Sequence, residues 1–149
     1  MVKKYELVLD DSIEFLRQKL FRIRALTSFD NVKAGDLGGY IQSERNLSHD
    51  GNAWVANKAK VSGNAKVSGN AKVLGEAEVS GIAMVWGNAE VYAYAKISDN
   101  AKVYDNAKVS GAAIISGEAE VSGYAQVWGN AQVSGAAIIS GEAEVSGYA

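Results

Sequence analysis

Few side chains in this sequence are equipped for catalysis. His49, beside Asp50, is the single histidine and therefore the one imidazole that could act as a general base. Cysteine is absent, which excludes both a thiolate metal site and a disulfide framework. The glycine-rich stretch Gly35–Gly39 is not followed by Lys-Ser or Lys-Thr, so it does not form a phosphate-binding loop. We expect a protein that is not an enzyme and that has no cofactor and no metal.

Large apolar side chains are the second set of residues that could form a functional surface. They stand at positions where neighbouring segments of the chain carry Lys, Glu, Asn or Ser. The bland interpretation is that they cover the backbone and the stems of neighbouring side chains. The alternative is a protein interface, because interface cores are enriched in aromatic residues and depleted in charge. The candidate interface residues are Trp86, Tyr104, Tyr92, Trp128, Tyr124, Ile114, Ile138 and Tyr148.

The charge distribution limits the classes of partner. The net charge is −2, but residues 111–149 carry four acidic groups and no basic group. Phosphate binding relies on Lys and Arg, so we expect no nucleic-acid partner. No apolar run approaches the length of a signal peptide or a membrane span, so we expect a soluble, cytoplasmic protein with no membrane partner.

The elements that position these residues follow from an internal repeat. From Gly51 the chain divides into six-residue units with Ala at the third position and Val or Ile at the fifth. Residues two apart point to the same side of a strand, so Ala and Val face inward and positions two, four and six face outward. The first position is Gly, Asp, Asn or Ala, and the first three of these tolerate the positive φ of a tight corner. The repeat predicts short strands that coil around a narrow axis.

The outward residues indicate three units per turn. With that count, residues eighteen apart lie above one another, and Lys72, Glu90 and Lys108 alternate in charge within one column. Asn52, Asn70, Asn88 and Asn106 form an amide column able to hydrogen-bond along the stack. Trp86 and Tyr104 should stack, and Leu74, Tyr92 and Trp128 share a column in which Ser110 lies between the last two. About five and a half turns follow Gly51.

The unit pattern resembles the hexapeptide-repeat, left-handed parallel β-helix proteins, in which an aliphatic residue is followed four places later by a small one, as in Val67 and Ala71. The resemblance covers residues 51–149, and it implies an all-β, single-stranded parallel β-helix with three strands per 18-residue coil and a left-handed turn. Many such proteins are acyltransferases that use a histidine near a cleft between neighbouring subunits. His49 lies outside the regular units and no unit is interrupted by a loop, so acyl transfer is a disfavoured alternative.

Residues 1–50 read as an N-terminal cap on the β-solenoid of residues 51–149. Lys4–Leu9 and Leu20–Leu26 alternate like strands, whereas Ser12–Lys19 is also compatible with a short helix that has Ser12 as its N-cap. Gly35–Ile41 predicts turns and a further strand. The run from Phe21 to Val55 is similar to the openings of uncharacterised bacterial and phage-borne solenoids with a short N-terminal cap, which implies a bacterial or phage origin.

These observations predict a structural or protein-binding scaffold that is not catalytic. We expect a homo-oligomer or another protein partner, with the C-terminal coil as one contact, because an uncapped parallel edge invites another chain. Residues 135–149 repeat residues 111–125 letter for letter. Two alternatives stay open: a phage-encoded inhibitor that docks on a host defence protein, and a component associated with the virion.

Overall fold

Each six-residue unit folds into a two-residue strand followed by a tight corner. The computed structural model describes residues 3–148, and its strands pair in parallel with residues eighteen positions away. Lys72, for example, lies against Glu90, which lies against Lys108. The predicted all-β parallel solenoid with three strands per coil is confirmed.

Three parallel sheets form the three faces of the solenoid. The first face consists of β4 (Trp54–Val55), β7 (Lys72–Val73), β10 (Glu90–Val91), β13 (Lys108–Val109), β16 (Gln126–Val127) and β19 (Glu144–Val145). The second face contains β5 (Lys60–Val61), β8 (Glu78–Val79), β11 (Lys96–Ile97), β14 (Ile114–Ile115) and β17 (Gln132–Val133). The third face contains β6 (Lys66–Val67), β9 (Met84–Val85), β12 (Lys102–Val103), β15 (Glu120–Val121) and β18 (Ile138–Ile139).

Backbone hydrogen bonds and small side chains hold successive coils together. The N–H groups of the second, fourth and sixth positions donate to the next coil, as in Glu90 N to Ala107 O at 3.0 Å. Inside, the Ala, Val and Ile side chains from Ala53 to Val133 are buried, whereas those between Ala137 and Val145 are partly or fully exposed. Burying a Val side chain stabilises the fold by about 2 kcal/mol relative to exposure. The interior is therefore narrow, apolar and repetitive.

The corners depend on residues with positive φ at the first position of each unit. Gly87 has φ +69°, and Asp99 and Asp105 occupy equivalent corners at +58° and +60°. The two aspartates also accept hydrogen bonds from the backbone N–H one coil later, Asp99 from Gly117 at 3.0 Å and Asp105 from Gly123 at 3.1 Å. This second role explains why Asp stands at corners that glycine could also form.

A β-hairpin covers the start of the solenoid. β1 (Tyr5–Phe15) pairs antiparallel with β2 (Gln18–Ala25), with an irregularity in β1 between Val8 and Ser12. The helix considered for Ser12–Lys19 is wrong, because β1 continues to Phe15 and a two-residue turn at Leu16 and Arg17 leads into β2. Both turn residues have positive φ, the geometry that matches the twist of a hairpin.

The hairpin and the solenoid share one continuous sheet. β3 (Leu37–Ile41) pairs antiparallel with β2 and in parallel with β5, and a short 3-10 helix (Glu44–Asn46) follows it. Leu47 then bridges Val67, so parallel stacking begins within the segment assigned to the cap. Gly38 permits this junction, because a Cβ there would lie 2.5 Å from the Val55 carbonyl oxygen.

Corner substitutions provide a matched test of this backbone geometry. Ala93 has φ +59°, so Ala93→Gly should raise stability by about 0.5 to 1 kcal/mol by removing left-handed strain. Gly87→Ala should lower it by about 1 to 2 kcal/mol, since the new Cβ would lie 2.9 Å from the Asp105 nitrogen. Urea unfolding of both variants measures the changes, and a stabilising Gly87→Ala would contradict the assigned corners.

Candidate functional site

His49 is fully engaged in a structural contact. Its Nδ1 accepts a hydrogen bond from the Lys4 backbone N–H at 3.0 Å, so the ring proton lies on Nε2, which contacts Glu44 Oε1 at 2.8 Å. The imidazole also stacks on the Tyr5 ring, with centroids 4.2 Å apart. Its side chain is 10% exposed. The hydrogen bond with His49 is also the main cause that lowers the pKa of the Glu44 carboxyl.

Lys4 is the second group with unusual chemistry, and it is buried at the same junction. Burial lowers its pKa to about 8, against the opposing effect of Asp50. Its Nζ donates to the carbonyl oxygen of Ala53 at 2.6 Å and lies 4.9 Å from the centre of the Phe29 ring. Only 4% of the residue is exposed, so the amine is poorly placed to meet a substrate. Lys4 instead satisfies a carbonyl of the first coil.

Tyr5 completes this junction. Its hydroxyl donates to the Leu47 carbonyl at 2.6 Å, and burial raises the pKa of the phenol. His49, Lys4 and Tyr5 together join β1 to the first coil. Within residues 3–148, no cluster of three or more His, Cys, Asp or Glu side chains could hold a metal ion. The same residues contain no helix with the length and apolar character needed to cross a membrane.

The candidate interface residues occupy two corners and two faces. Trp86 and Tyr104 lie at the corner between the third and first faces, and their rings stack with centroids 4.5 Å apart and planes 6° apart. The predicted stack is therefore confirmed. The Tyr104 hydroxyl donates to Glu120 Oε1 at 3.1 Å, and the exposed Tyr124 follows at the same corner, one coil later.

The remaining candidates lie elsewhere on the solenoid. Tyr92 and Trp128 share the corner between the first and second faces, and Tyr148 is exposed at that corner in the last described coil. Ile114 projects from the second face and Ile138 from the third, because the duplicated segment is offset by four units rather than three. The eight residues do not form one continuous surface. Ala149 lies outside the described residues.

Ile82 and Tyr94 are exposed apolar residues missing from the sequence-derived candidates, and Met84, which the repeat places at an outward apolar position, is exposed beside Ile82. Ile82 is 55% exposed and Met84 is 37% exposed, so every outward side chain of the unit Gly81–Trp86 is apolar. Tyr94 is 62% exposed at the second position of its unit. The second-position columns of the repeat contain both Ile82 and Tyr94, so the sequence could have indicated them.

A groove lies on the second face beside Tyr94. It has a volume of about 470 Å³ and is lined by two adjacent outward columns. The groove is deepest at Ala112, because this small side chain lies between the larger side chains of Tyr94 and Asn130 in the same column. The lining residues are Lys60, Glu76, Glu78, Tyr94, Lys96, Ala112, Ile114, Asn130 and Gln132.

The charged columns are in register without forming close ion pairs. Lys60, Glu78 and Lys96 stack on the second face as expected, yet no salt bridge within 4 Å joins them in the described part of the chain. Lys72 instead pairs with Asp30 of the cap at 2.9 Å. Lys60, Glu78 and Lys96 on the second face are therefore able to form ion pairs with a partner.

The amide column is less bonded than its spacing suggested. Asn70 Oδ1 accepts the Asn52 backbone N–H at 3.2 Å. Among residues 3–148, no hydrogen bond joins one side-chain amide of this column to another. Backbone bonds, such as Asn88 N to Asp105 O at 2.7 Å, provide the contact between coils there. The amide ladder predicted from spacing is therefore wrong in its bonding, although its register is confirmed.

Known proteins give no further guidance on the site. No protein-family model matches the chain, and no curated protein matches it.

The burial of Lys4 predicts a distinctive dependence of stability on pH. Between pH 8 and about 10 the folded chain has released the Lys4 proton while the unfolded chain keeps it, so the free energy of unfolding should rise with pH. The gain should be about 2 to 3 kcal/mol over these two units. Above the ordinary pKa of tyrosine the raised pKa of Tyr5 reverses the slope, because the folded chain then holds the extra proton. Urea unfolding across this range tests the rise, which Lys4→Met should abolish and Tyr5→Phe should preserve.

A substitution at His49 separates a structural role from a catalytic one. His49→Ala should lower the free energy of unfolding by about 1 to 3 kcal/mol, because it leaves the Lys4 N–H without its acceptor. The unsubstituted protein should show no turnover of acetyl-coenzyme A. Robust turnover that disappears in a folded His49→Ala variant would instead establish acyl transfer.

Proposed function

We propose that this protein is a rigid, non-catalytic scaffold that binds protein through apolar residues at its outward positions and that associates with itself. The observation that carries the proposal is the local replacement of charge by exposed apolar side chains. Ile82, Met84 and Tyr94 are exposed at positions where other coils carry Asn, Lys or Glu. Exposed aromatic and Met residues with little charge between them are typical of interface cores.

The regularity of the solenoid supports the scaffold role. From Gly51 onwards every described coil has the same six-residue units, and none of these units is enlarged into a loop. A surface built on such a frame keeps its side chains at fixed heights, which lowers the entropy cost of binding. The arrangement suits a spacer or a docking platform.

The engagement of the titratable groups supports a non-catalytic role. Both ring nitrogens of His49 have partners, and Lys4 is buried beneath the cap. A general base needs access to the proton that it removes. The site at the junction is better suited to joining the cap to the first coil.

The origin and the location of the protein are proposed from a sequence resemblance alone. The run from Phe21 to Val55 is similar to the openings of bacterial and phage-borne solenoids, so we place the protein in the cytoplasm of a bacterium or an infected cell. Association with a virion is compatible with the same scaffold role.

A phage-encoded inhibitor that docks on a host protein is the second candidate function. The acidic segment 111–149, with four acidic groups and no basic group, favours it because this segment resembles nucleic acid in the sign of its charge. Such an inhibitor would use the same aromatic corners, but these corners would bind a host protein instead of a second copy of this chain.

Analytical ultracentrifugation over a wide concentration range tests the proposed function. The protein should form oligomers, and the double variant Trp86→Ala, Trp128→Ala should weaken association at least tenfold while keeping its β-type circular dichroism spectrum. Lys108→Gln, a substitution of an exposed polar residue on the first face, serves as the control. A strict monomer that retains a defined host protein, and loses it in the double variant, would favour the inhibitor instead.

A further inference from the structure

Two apolar patches lie at the same height on different sides of the solenoid. The ridge patch comprises Ile82, Met84, Trp86 and Tyr104, beside the corner between the third and first faces. The groove patch comprises Tyr92, Tyr94, Ala112 and Ile114, beside the corner between the first and second faces. Both patches span the same two coils, β9–β10–β11 and β12–β13–β14. Because the patches lie on different sides, partners that cover both of them must approach the solenoid from two directions.

The two patches have complementary shapes. The stacked rings of Trp86 and Tyr104 form a broad apolar ridge. On the groove patch, the aromatic pair Tyr92 and Tyr94 is followed one coil later by Ser110 and Ala112. These small side chains leave the groove on the second face at the height of Tyr104.

We propose that a second copy of this chain docks its ridge patch into the groove patch of the first, with the two solenoids parallel and their coils level. This proposal rests on the self-association proposed above and specifies its surfaces. At one level Met84 and Trp86 of one copy contact Tyr92 and Tyr94 of the other. One coil later, Tyr104 enters the space above Ala112.

The charges beside the patches select this alignment. In the coil before the patches, Lys66 on the ridge side meets Glu76 and Glu78 on the groove side. A shift by one coil in either direction brings Lys66 towards Lys96 or Lys60 instead. Like charges brought together at an interface oppose association, so the level alignment is preferred.

The same charges select parallel over antiparallel solenoids. Level parallel docking brings Glu120, in the coil after the ridge patch, beside the amides of Asn130 and Gln132. An antiparallel arrangement centred on the patches would bring Glu120 against Glu76 and Glu78. Three carboxylates at one contact disfavour that orientation.

Docking of this kind is heterologous, because the two copies use different surfaces. Each copy then keeps one free ridge patch or one free groove patch, and the assembly closes into a ring or extends, depending on the rotation between neighbours. The common spacing of the coils, about 4.8 Å, lets contacts repeat at each level.

A charge exchange tests the alignment by analytical ultracentrifugation. Lys66→Glu should weaken association at least tenfold, and adding Glu76→Lys and Glu78→Lys to the same chain should restore it. Lys108→Glu makes the same charge change on the first face, outside both patches, and should leave association within threefold of the unsubstituted protein. Circular dichroism confirms that each variant is folded.

Cysteine cross-linking tests the surfaces directly, because the chain has no cysteine of its own. A Lys66→Cys copy mixed with a Glu78→Cys copy should form an intermolecular disulfide, whereas either copy alone should not. The pair Lys66→Cys and Gln132→Cys, which lie three coils apart in height, is the control that should stay reduced.

The outcomes separate the two proposals. A strict monomer overturns both self-association and this docking. Oligomers that ignore Lys66→Glu, or that cross-link Lys66→Cys copies to one another, overturn the docking and leave self-association standing. Loss with Lys66→Glu, restoration by the exchange and the level-specific disulfide together establish it.

Discussion

The eighteen-residue register between coils is the constraint on which the rest of the structure depends. Backbone N–H groups of outward residues donate to carbonyls one coil later, so each outward side chain has a fixed neighbour above and below. Glu90 is held between Lys72 and Lys108 in this way, and Trp86 is held against Tyr104. The surface is therefore a set of columns whose chemistry can change coil by coil without disturbing the interior. The side chains that face solvent stand at positions two, four and six of each unit.

The titratable groups near the N-terminus provide hydrogen bonds to the backbone where the stacking of coils begins. A solenoid leaves carbonyl groups unpaired at its first coil, because the N–H groups there donate to the next coil, and an unpaired buried group is costly. Lys4 donates to Ala53, Tyr5 donates to Leu47, and Asn46 accepts from Gln42 and Ser43 while donating to Ala65. These side chains, some of which are of types found in catalytic sites, thus provide hydrogen-bond partners for the backbone at the start of the solenoid.

The sequence was most informative where its repeat was strict. Ala and Val at fixed positions have one compatible arrangement, so the faces, the corners and the Trp86–Tyr104 stack could all be predicted. The hairpin was harder, because Leu16 and Arg17 adopt positive φ without the Asn-Gly or Gly residues that usually indicate such a turn. The contacts of His49 with Lys4 and Tyr5 join residues more than forty positions apart outside any repeat. Ile82 and Tyr94 were within reach of the repeat, because both stand at the second position of their units, which faces outward.

An engineered disulfide tests the stacking most directly. Lys102 and Glu120 lie opposite each other in adjacent strands, at the separation of Cα atoms that a disulfide can bridge. In a chain without native cysteine, Lys102→Cys, Glu120→Cys should oxidise to an intramolecular disulfide, detected by mass spectrometry under non-reducing conditions. Lys102→Cys, Gln126→Cys, whose residues are twenty-four positions apart and lie on different faces, should remain reduced. A disulfide in the second variant, with none in the first, would contradict the eighteen-residue register and the surfaces built on it.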